Sequence, residues 1–320
     1  MGRKSNPNLV RLNIKDNEWN SKFISQTYEE SSLTTFKLIE VETYISQFLS
    51  KNGLILHDYK IYINQSTLFI HISYFITLKA AFLINSCEVL KRYKNSNYKK
   101  FFLKAKKTHL KINDFRMKSK KLTRNSSIKN FKNHITQTKY KNNLQLKQNN
   151  FVEKFLETIS LFTKNKYNVY FNFQNLNSKL VKNRNKIFWK KRLLQLKRYK
   201  KREFFKETIN ILFIMLTYKN SSRLLAEFLS IQFSNLTRHF YFLLFLKRAL
   251  LIFLKNKNLK IKGVKIAIKG RINKRPKSKK YLLNIGEVPT QTVKMNINYH
   301  QSTSFSSNGT FGIKVWVAEK

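Results

Sequence analysis

One cysteine, three prolines, seven glycines and sixteen acidic residues are all that 320 positions hold of those types. A lone Cys87 excludes an internal disulfide and any zinc site built on several cysteines, and points to a reducing compartment or one where redox state is immaterial. So few glycines leave little room for a phosphate-cradling loop, and none is found. Asp16, Asp58 and Asp114 are the only aspartates, and with six scattered histidines they form no acid–base pair and no metal-ligand spacing. His57 and Asp58 are neighbours, which in a strand points their side chains apart. His71, inside an apolar strand pattern, reads as a face or core histidine. No catalytic residue, cofactor or metal is expected, and the chain does not read as an enzyme. Long uncharged apolar runs are missing too. Leu68 to Cys87 is interrupted by His71 and Lys79, and Phe240 to Leu254 carries Lys247 and Arg248, so both read as core elements rather than membrane spans. The first residues, MGRKSNPNLVRLNIK, lack the apolar core of a signal peptide, and Asn6 fails the myristoylation pattern.

What is abundant is positive charge. Sixty-four lysines and arginines leave a formal net charge of +48. A compact body of that charge repels itself unless a polyanion neutralises it. Each basic group set against a phosphate releases counterions, which implies tight, salt-dependent binding to nucleic acid. An anionic membrane surface and a solvated basic chain are the weaker alternatives. Full disorder does not fit, because 42% of the residues are hydrophobic and 14% aromatic. Abundant Lys, Asn, Phe, Ile and Tyr resemble the drift of an AT-rich genome, as in an organelle or an AT-rich microbe.

Along the chain, residues 1–36 read as an extended basic arm. A helix is predicted over 38–51, with Leu38, Val41, Ile45, Phe48 and Leu49 on one face and Asn52-Gly53 closing it. Strands are predicted at 59–64 and 68–74, joined as a hairpin. Residues 79–150 carry 20 basic and 2 acidic residues, with aromatics from Tyr93 to Tyr140 interleaved in a manner suited to stacking on unpaired bases. A helix over 151–162 and a strand over 168–173 follow. Residues 174–204 form a second basic block with 12 basic and 1 acidic residues, within which 179–202 is readable as an amphipathic helix with Trp189, Leu193, Leu196 and Tyr199 inward. Helices are predicted at 205–217 and 222–255, the latter breaking near Ser234-Asn235. Strands are predicted at 264–268, 281–285, 293–299 and 312–317, so two late helices and four strands give an antiparallel α+β sandwich.

Both ends of the chain resemble one family. Gly263 to Arg271 (GVKIAIKGR), then Gly286, Val288, Pro289, Thr292, Ile297, Tyr299, Gly309, Gly312 and Lys314-Val315-Trp316, are similar to the C-terminal domain of small-subunit ribosomal protein three. Gly2, Lys4, Pro7, Asn8, Arg11, Leu12 and Trp19-Asn20-Ser21 resemble its amino terminus. The resemblance implies an α+β chain: a degenerate type II KH-like domain split over 37–78 and 151–173, then a C-terminal two-helix, four-strand antiparallel α/β sandwich over 205–320. The blocks 79–150 and 174–204 stand as long basic insertions. The family's GxxG loop, which lets the backbone approach RNA phosphates, is absent from 79–150. Leu243 and Leu244 stand where the family's channel-lining arginine pair is expected.

The resemblance further implies a structural constituent of the small ribosomal subunit. Such a protein binds ribosomal RNA in the head, near the channel by which mRNA enters, and has small-subunit proteins ten and fourteen as neighbours and no membrane partner. The insertions and composition resemble a mitochondrially encoded member, ribosome-bound in the matrix, more than a plastid or divergent bacterial one, for which fewer and shorter insertions are expected; a free organellar RNA-binding or intron maturation factor is the alternative. The RNA-binding residues expected are Lys4 and Arg11 in the arm, Arg238, Lys247 and Arg248 near the channel, and Lys269, Arg271, Lys274, Arg275, Lys277, Lys279 and Lys280 in the C-terminal sandwich. Phosphate contacts of this kind position a protein without reading sequence.

Overall fold

The computed structural model describes residues 6–12, 19–64, 66–80, 152–177, 193–255 and 260–319, apart from positions 26, 79, 165, 294 and 308. Within the first half, Pro7–Val10 forms a single helical turn (α1), capped by the Asn6 side chain with Pro7 at its start. A short strand, Ser21–Phe23 (β1), precedes a 24-residue helix, Tyr28–Lys51 (α2). Two ten-residue strands, Leu54–Ile63 (β2) and Thr67–Ile76 (β3), pair antiparallel, and β1 pairs parallel with β2. A strand, Asn168–Asn175 (β4), completes this sheet, whose order is β1-β2-β3-β4. Contacts advance together along β3 and β4, from Phe69 beside Tyr170 to Tyr74 O accepting from Leu176 N, as in a parallel pair. A helix at 152–162 (α3) lies in a separate unit and buries Phe155 and Ile159, which lie one turn apart on its face.

The extended arm expected over 1–36 is corrected by α1, β1 and the first nine residues of α2. Thr27 Oγ1 accepts from Glu30 N at 3.3 Å, and Glu29 and Glu30 occupy the positive first turn, the signature of a capped start. The buried stripe of α2 begins only at Leu38 and continues through Val41, Ile45 and Leu49. Gly53, at φ +70°, then turns the chain into β2.

The second half has three helices, Phe204–Thr217 (α4), Ser222–Asn235 (α5) and His239–Leu254 (α6), the last two divided by the break expected near Ser234-Asn235. Leu236 and Arg238 take extended backbone and separate α5 from α6. Helix α6 is a core helix, with Phe242, Leu243, Phe245, Leu246, Ala249, Leu250 and Phe253 all buried, each large side chain contributing about 1.5–3 kcal/mol. No described helix is long and apolar enough to cross a membrane. The basic block before α4 is described only from residue 193. It forms a 3-10 turn, Leu194–Tyr199, that buries Leu196 and rests Leu193 and Tyr199 on the core, while Trp189 lies outside the described residues.

Four strands follow: Ile261–Gly270 (β5), Lys279–Gly286 (β6), Ile297–Ser306 (β7) and Gly309–Glu319 (β8). They are antiparallel, in the order β6-β5-β8-β7. Their inner face, with Val264, Ile266, Ile268, Leu283, Ile313, Val315 and Val317, joins the three helices in one core that also takes in Ile55 and Phe75 from the first sheet. Gly286 holds φ +77° where a Cβ would lie 2.3 Å from Lys262 O, so only glycine closes β6 against β5 at this point. Strand β7 starts four residues later than expected and runs to Ser306. Its inward serines are satisfied by α5: Ser302 Oγ donates to Ala226 O at 2.8 Å and Ser304 Oγ to Ser230 O at 2.7 Å. The outer edge of β7 is occupied by one amide side chain. Asn8 Nδ2 donates to Tyr299 O and Asn8 Oδ1 accepts from Tyr299 N, both at 2.8 Å, the pattern a neighbouring strand would supply.

A polar junction joins the halves around α5. Arg223 pairs with Glu227 at 2.9 Å and Glu42 of α2 at 3.6 Å, and its guanidinium lies 5.2 Å from the Tyr59 ring centre. Asn220 Nδ2 donates to Asp58 Oδ2, and His57 Nδ1 lies 2.9 Å from Ser73 Oγ. Burial pushes His57 down to about 4 and Tyr59 up. Burial, with the charge of Arg223, brings His300 down to about 4.

Candidate nucleic-acid interface

The strongest concentration of charge is the hairpin between β5 and β6. Between Glu227 and Glu287 the sequence has fifteen lysines and arginines and no acidic residue, so nothing within that stretch neutralises it. Lys269, Arg271, Lys274, Arg275, Lys277, Lys279 and Lys280 are all exposed. Lys269 and Lys280 stand directly opposite each other across the β5–β6 pair, an arrangement that destabilises a sheet unless an anion bridges it.

The hairpin is held by one residue. Asn273 adopts the left-handed region, φ 56° and ψ 39°, which asparagine tolerates better than most residues. Its Oδ1 accepts from His239 N at 2.8 Å and Phe240 N at 3.2 Å, capping the first turn of α6. In return Asn273 N donates to His239 Nδ1 at 3.4 Å, and His239 Nε2 reaches Phe233 O at 3.2 Å. That pairing selects the neutral ring protonated on Nε2. Burial lowers the His239 pKa in the same sense, and the ring stacks on Phe233 at 5.0 Å. The cap therefore sets the exposed Arg238 at the same end of the domain as the hairpin. Asn273→Ala is expected to cost about 1 kcal/mol in thermal or urea unfolding, the usual worth of a helix cap, and to weaken RNA binding more than that loss alone implies, because the hairpin is released.

Lys247 and Arg248 form a separate cluster. They lie nine and ten residues beyond Arg238 on α6, roughly 14 Å along the axis at the α-helical rise. Arg248 Nη1 donates to Tyr199 Oη at 3.2 Å, and Arg202 lies over the Tyr241 ring at 5.9 Å. Lys197, Arg198, Lys200 and Lys201 are exposed alongside Tyr199 in the chain, so the block read as an insertion adds positive charge beside this cluster. Leu243 is buried and Leu244 half-buried, so the position expected to line a channel with arginine belongs to the core.

Arg11 is not a phosphate ligand. It is 2% exposed, and its guanidinium donates to Pro7 O, Thr290 O, Thr292 O and Met295 O at 2.6–3.3 Å. Those carbonyls take up the donors a phosphate would need. Lys4 lies outside the described residues.

Sequence reading missed the outer face of the second sheet. Lys265 Nζ sits 5.5 Å from the Trp316 ring centre, Trp316 packs against Tyr299 at 5.2 Å, and Lys314 is exposed on the same face. The signal was available in the strand alternation, which places Lys265, Lys269, Lys314 and Trp316 on one side.

Residues 235–317, from the end of α5 through nearly all of β8, match the family described as Ribosomal protein S3, C-terminal domain. Over this stretch the chain is similar to the ribosomal protein S3 family. Among its relatives, the small ribosomal subunit protein uS3c of Euglena longa is 40% identical over 60 residues, covering 19% of this chain and 27% of that protein. The uS3c of Angiopteris evecta is 34% identical over 110 residues, covering 32% of this chain and 48% of that protein. The uS3 of Aquifex pyrophilus is 36% identical over 56 residues, covering 18% and 24%. The match thus spans less than half the length of these relatives. The matched S3 domain contains the capped α6, the basic hairpin and the Lys265–Trp316 face. Among the described residues, no group of three or more His, Cys, Asp or Glu could hold a metal ion.

Proposed function

We propose that this chain is an S3 family member, a structural component of the small subunit of a mitochondrial ribosome, binding ribosomal RNA in the head near the channel by which mRNA enters. The observation that carries the reading is the one-signed charge of the S3 domain, fifteen basic and no acidic residues between Glu227 and Glu287, set out on a hairpin rigidly joined to α6. The hairpin cluster with Arg238 binds phosphates of structured RNA, and Lys247 and Arg248 with the 197–202 segment form a second contact toward the channel. Helix α2, the β2–β3 hairpin, and α3 followed by β4 keep the element order of a split KH-like domain. With no GxxG in the sequence of residues 79–150, RNA contact shifts to the basic surfaces. Organelle encoding fits the composition.

The test is sedimentation of an organelle extract at moderate salt, with the protein expected on small-subunit particles. A protein that stays off those particles while still binding RNA is a free RNA-binding factor. In the purified protein, Lys274→Gln, Arg275→Gln and Lys277→Gln together are expected to weaken binding to structured ribosomal RNA by tenfold or more. The same change lowers the slope of log affinity against log salt by about one for each phosphate that is no longer neutralised. An unchanged slope would remove the hairpin from the interface.

A further inference from the structure

The open face of the first sheet carries a row of side chains that the S3 domain's phosphate contacts do not use. Lys22 of β1 is in register with Tyr62 of β2, Tyr62 with Phe69 of β3, and Phe69 stacks on Tyr170 of β4 with ring centres 5.0 Å apart and planes 15° from parallel. One basic and three aromatic side chains thus cross all four strands, a span of roughly 14 Å at the usual strand spacing. Phe69 is 41% and Tyr170 54% exposed. Apolar rings of that size are normally buried, and here they lie together beside a concavity of about 340 Å³. The next row on the same face is Lys60 opposite His71. Helix α2 packs its apolar stripe on the opposite face of this sheet, against the side carrying Tyr59, Ile61, Ile70 and Ile72.

We infer that this face is a stacking platform for two or three unpaired bases of single-stranded RNA, a second site separate from the basic hairpin. Every base has a π-face that a ring can cover, so near-parallel rings on a sheet bind without sequence preference, and flanking lysines hold the backbone. The chemistry is complementary on both counts: the rings meet bases, and Lys22 and Lys60 meet phosphates. Asp58, two residues before Lys60 on the same side, is drawn away from the row by Asn220 Nδ2 and Tyr59 N. The platform rests on the reading of the chain as an RNA-binding protein, but on different residues and a different form of RNA.

The full-length protein is titrated by fluorescence anisotropy with a labelled single-stranded decamer and with a duplex RNA. Phe69→Leu with Tyr170→Leu keeps apolar surface and removes the rings. It is expected to weaken the decamer by about 10- to 100-fold, to leave the duplex within twofold, and to leave the salt slope unchanged because no charge is removed. Phe69→Trp is expected to preserve decamer binding. The Lys274, Arg275 and Lys277 variant is expected to do the reverse, losing duplex affinity together with salt slope. In the unaltered protein, a 4-thiouridine decamer is expected to crosslink within Tyr62, Phe69 or Tyr170. An unchanged decamer affinity in the leucine variant, or crosslinks confined elsewhere, overturns the platform while the hairpin's role stands. Rings shielded by a neighbouring protein in the assembled particle, with decamer affinity unchanged, overturn it as well. Failure of the wild-type protein to bind either RNA overturns the RNA-binding reading itself.

Discussion

Replacing Arg11 with methionine is expected to destabilise the protein by about 3 kcal/mol, the upper end of the cost of stripping a charged donor from buried carbonyls. The guanidinium is enclosed, and the segment from Thr290 to Met295 gives it three carbonyls while Pro7 gives a fourth. Methionine fills the stem volume but leaves those acceptors without donors, and an unsatisfied buried carbonyl costs about 1–3 kcal/mol. Lysine restores a charge and three donors but not the planar fork that reaches carbonyls in several directions, so Arg11→Lys is expected to recover only part of the loss. Urea midpoints of the three proteins give the ranking. RNA affinity, measured where all three are folded, is expected to change little, because Arg11 is not at the surface. A large loss of affinity at unchanged stability would return Arg11 to the interface.

The second large effect is a loss of stability in acid that depends on two histidines. His57 and His300 are held near 4 in the folded protein, against about 6.5 when unfolded. The unfolded chain therefore binds more protons between those values, and stability falls as pH drops from about 6.5 to about 4, then stops changing on their account. At 1.36 kcal/mol per pH unit the loss is about 3 kcal/mol for each histidine. Asp58, Glu227 and Glu319 are pushed up by burial and contribute a slope of opposite sign. Arg223, which pairs with Glu227 and opposes protonation of His300, stays charged throughout. The double variant His57→Asn with His300→Gln retains all these groups, so the difference between its pH profile and the wild-type profile isolates the histidines. Parallel profiles would show that neither ring resists protonation.

Several elements were legible in the sequence because local pattern and tertiary role coincide. The stripe at Leu38, Val41, Ile45 and Leu49, the apolar α4, and the Val264, Ile266, Ile268 alternation announce themselves, since the residues that repeat are those that become buried. The start of α2 was hidden for the opposite reason. Tyr28, Leu33 and Phe36 are exposed, so the first turns show no buried face even though Thr27 and Glu30 form a cap. Strand β7 was misplaced because its inward positions are Asn298, His300, Ser302 and Ser304 rather than apolar residues, with Asn298, Ser302 and Ser304 bonded to α5. In the interface, charge itself could be read at positions 274–280. Asn273 capping a helix that starts 34 residues earlier, and Arg11 turned inward by carbonyls some 280 residues later, are written only in the folded chain.

The pairing of the α1 segment with the end of the S3 domain also sets a clock on biosynthesis. Asn8 and Arg11 bond to residues 279 to 291 positions further along. At typical translation rates, about 15 to 60 s separate the synthesis of one side of that contact from the other. Throughout that interval Arg11 has no carbonyls from residues 290–295 to enclose it, and the edge of β7 does not yet exist. The brace with the largest expected effect on stability is consequently among the last contacts to form, so the basic surfaces fold on a chain that is not yet locked.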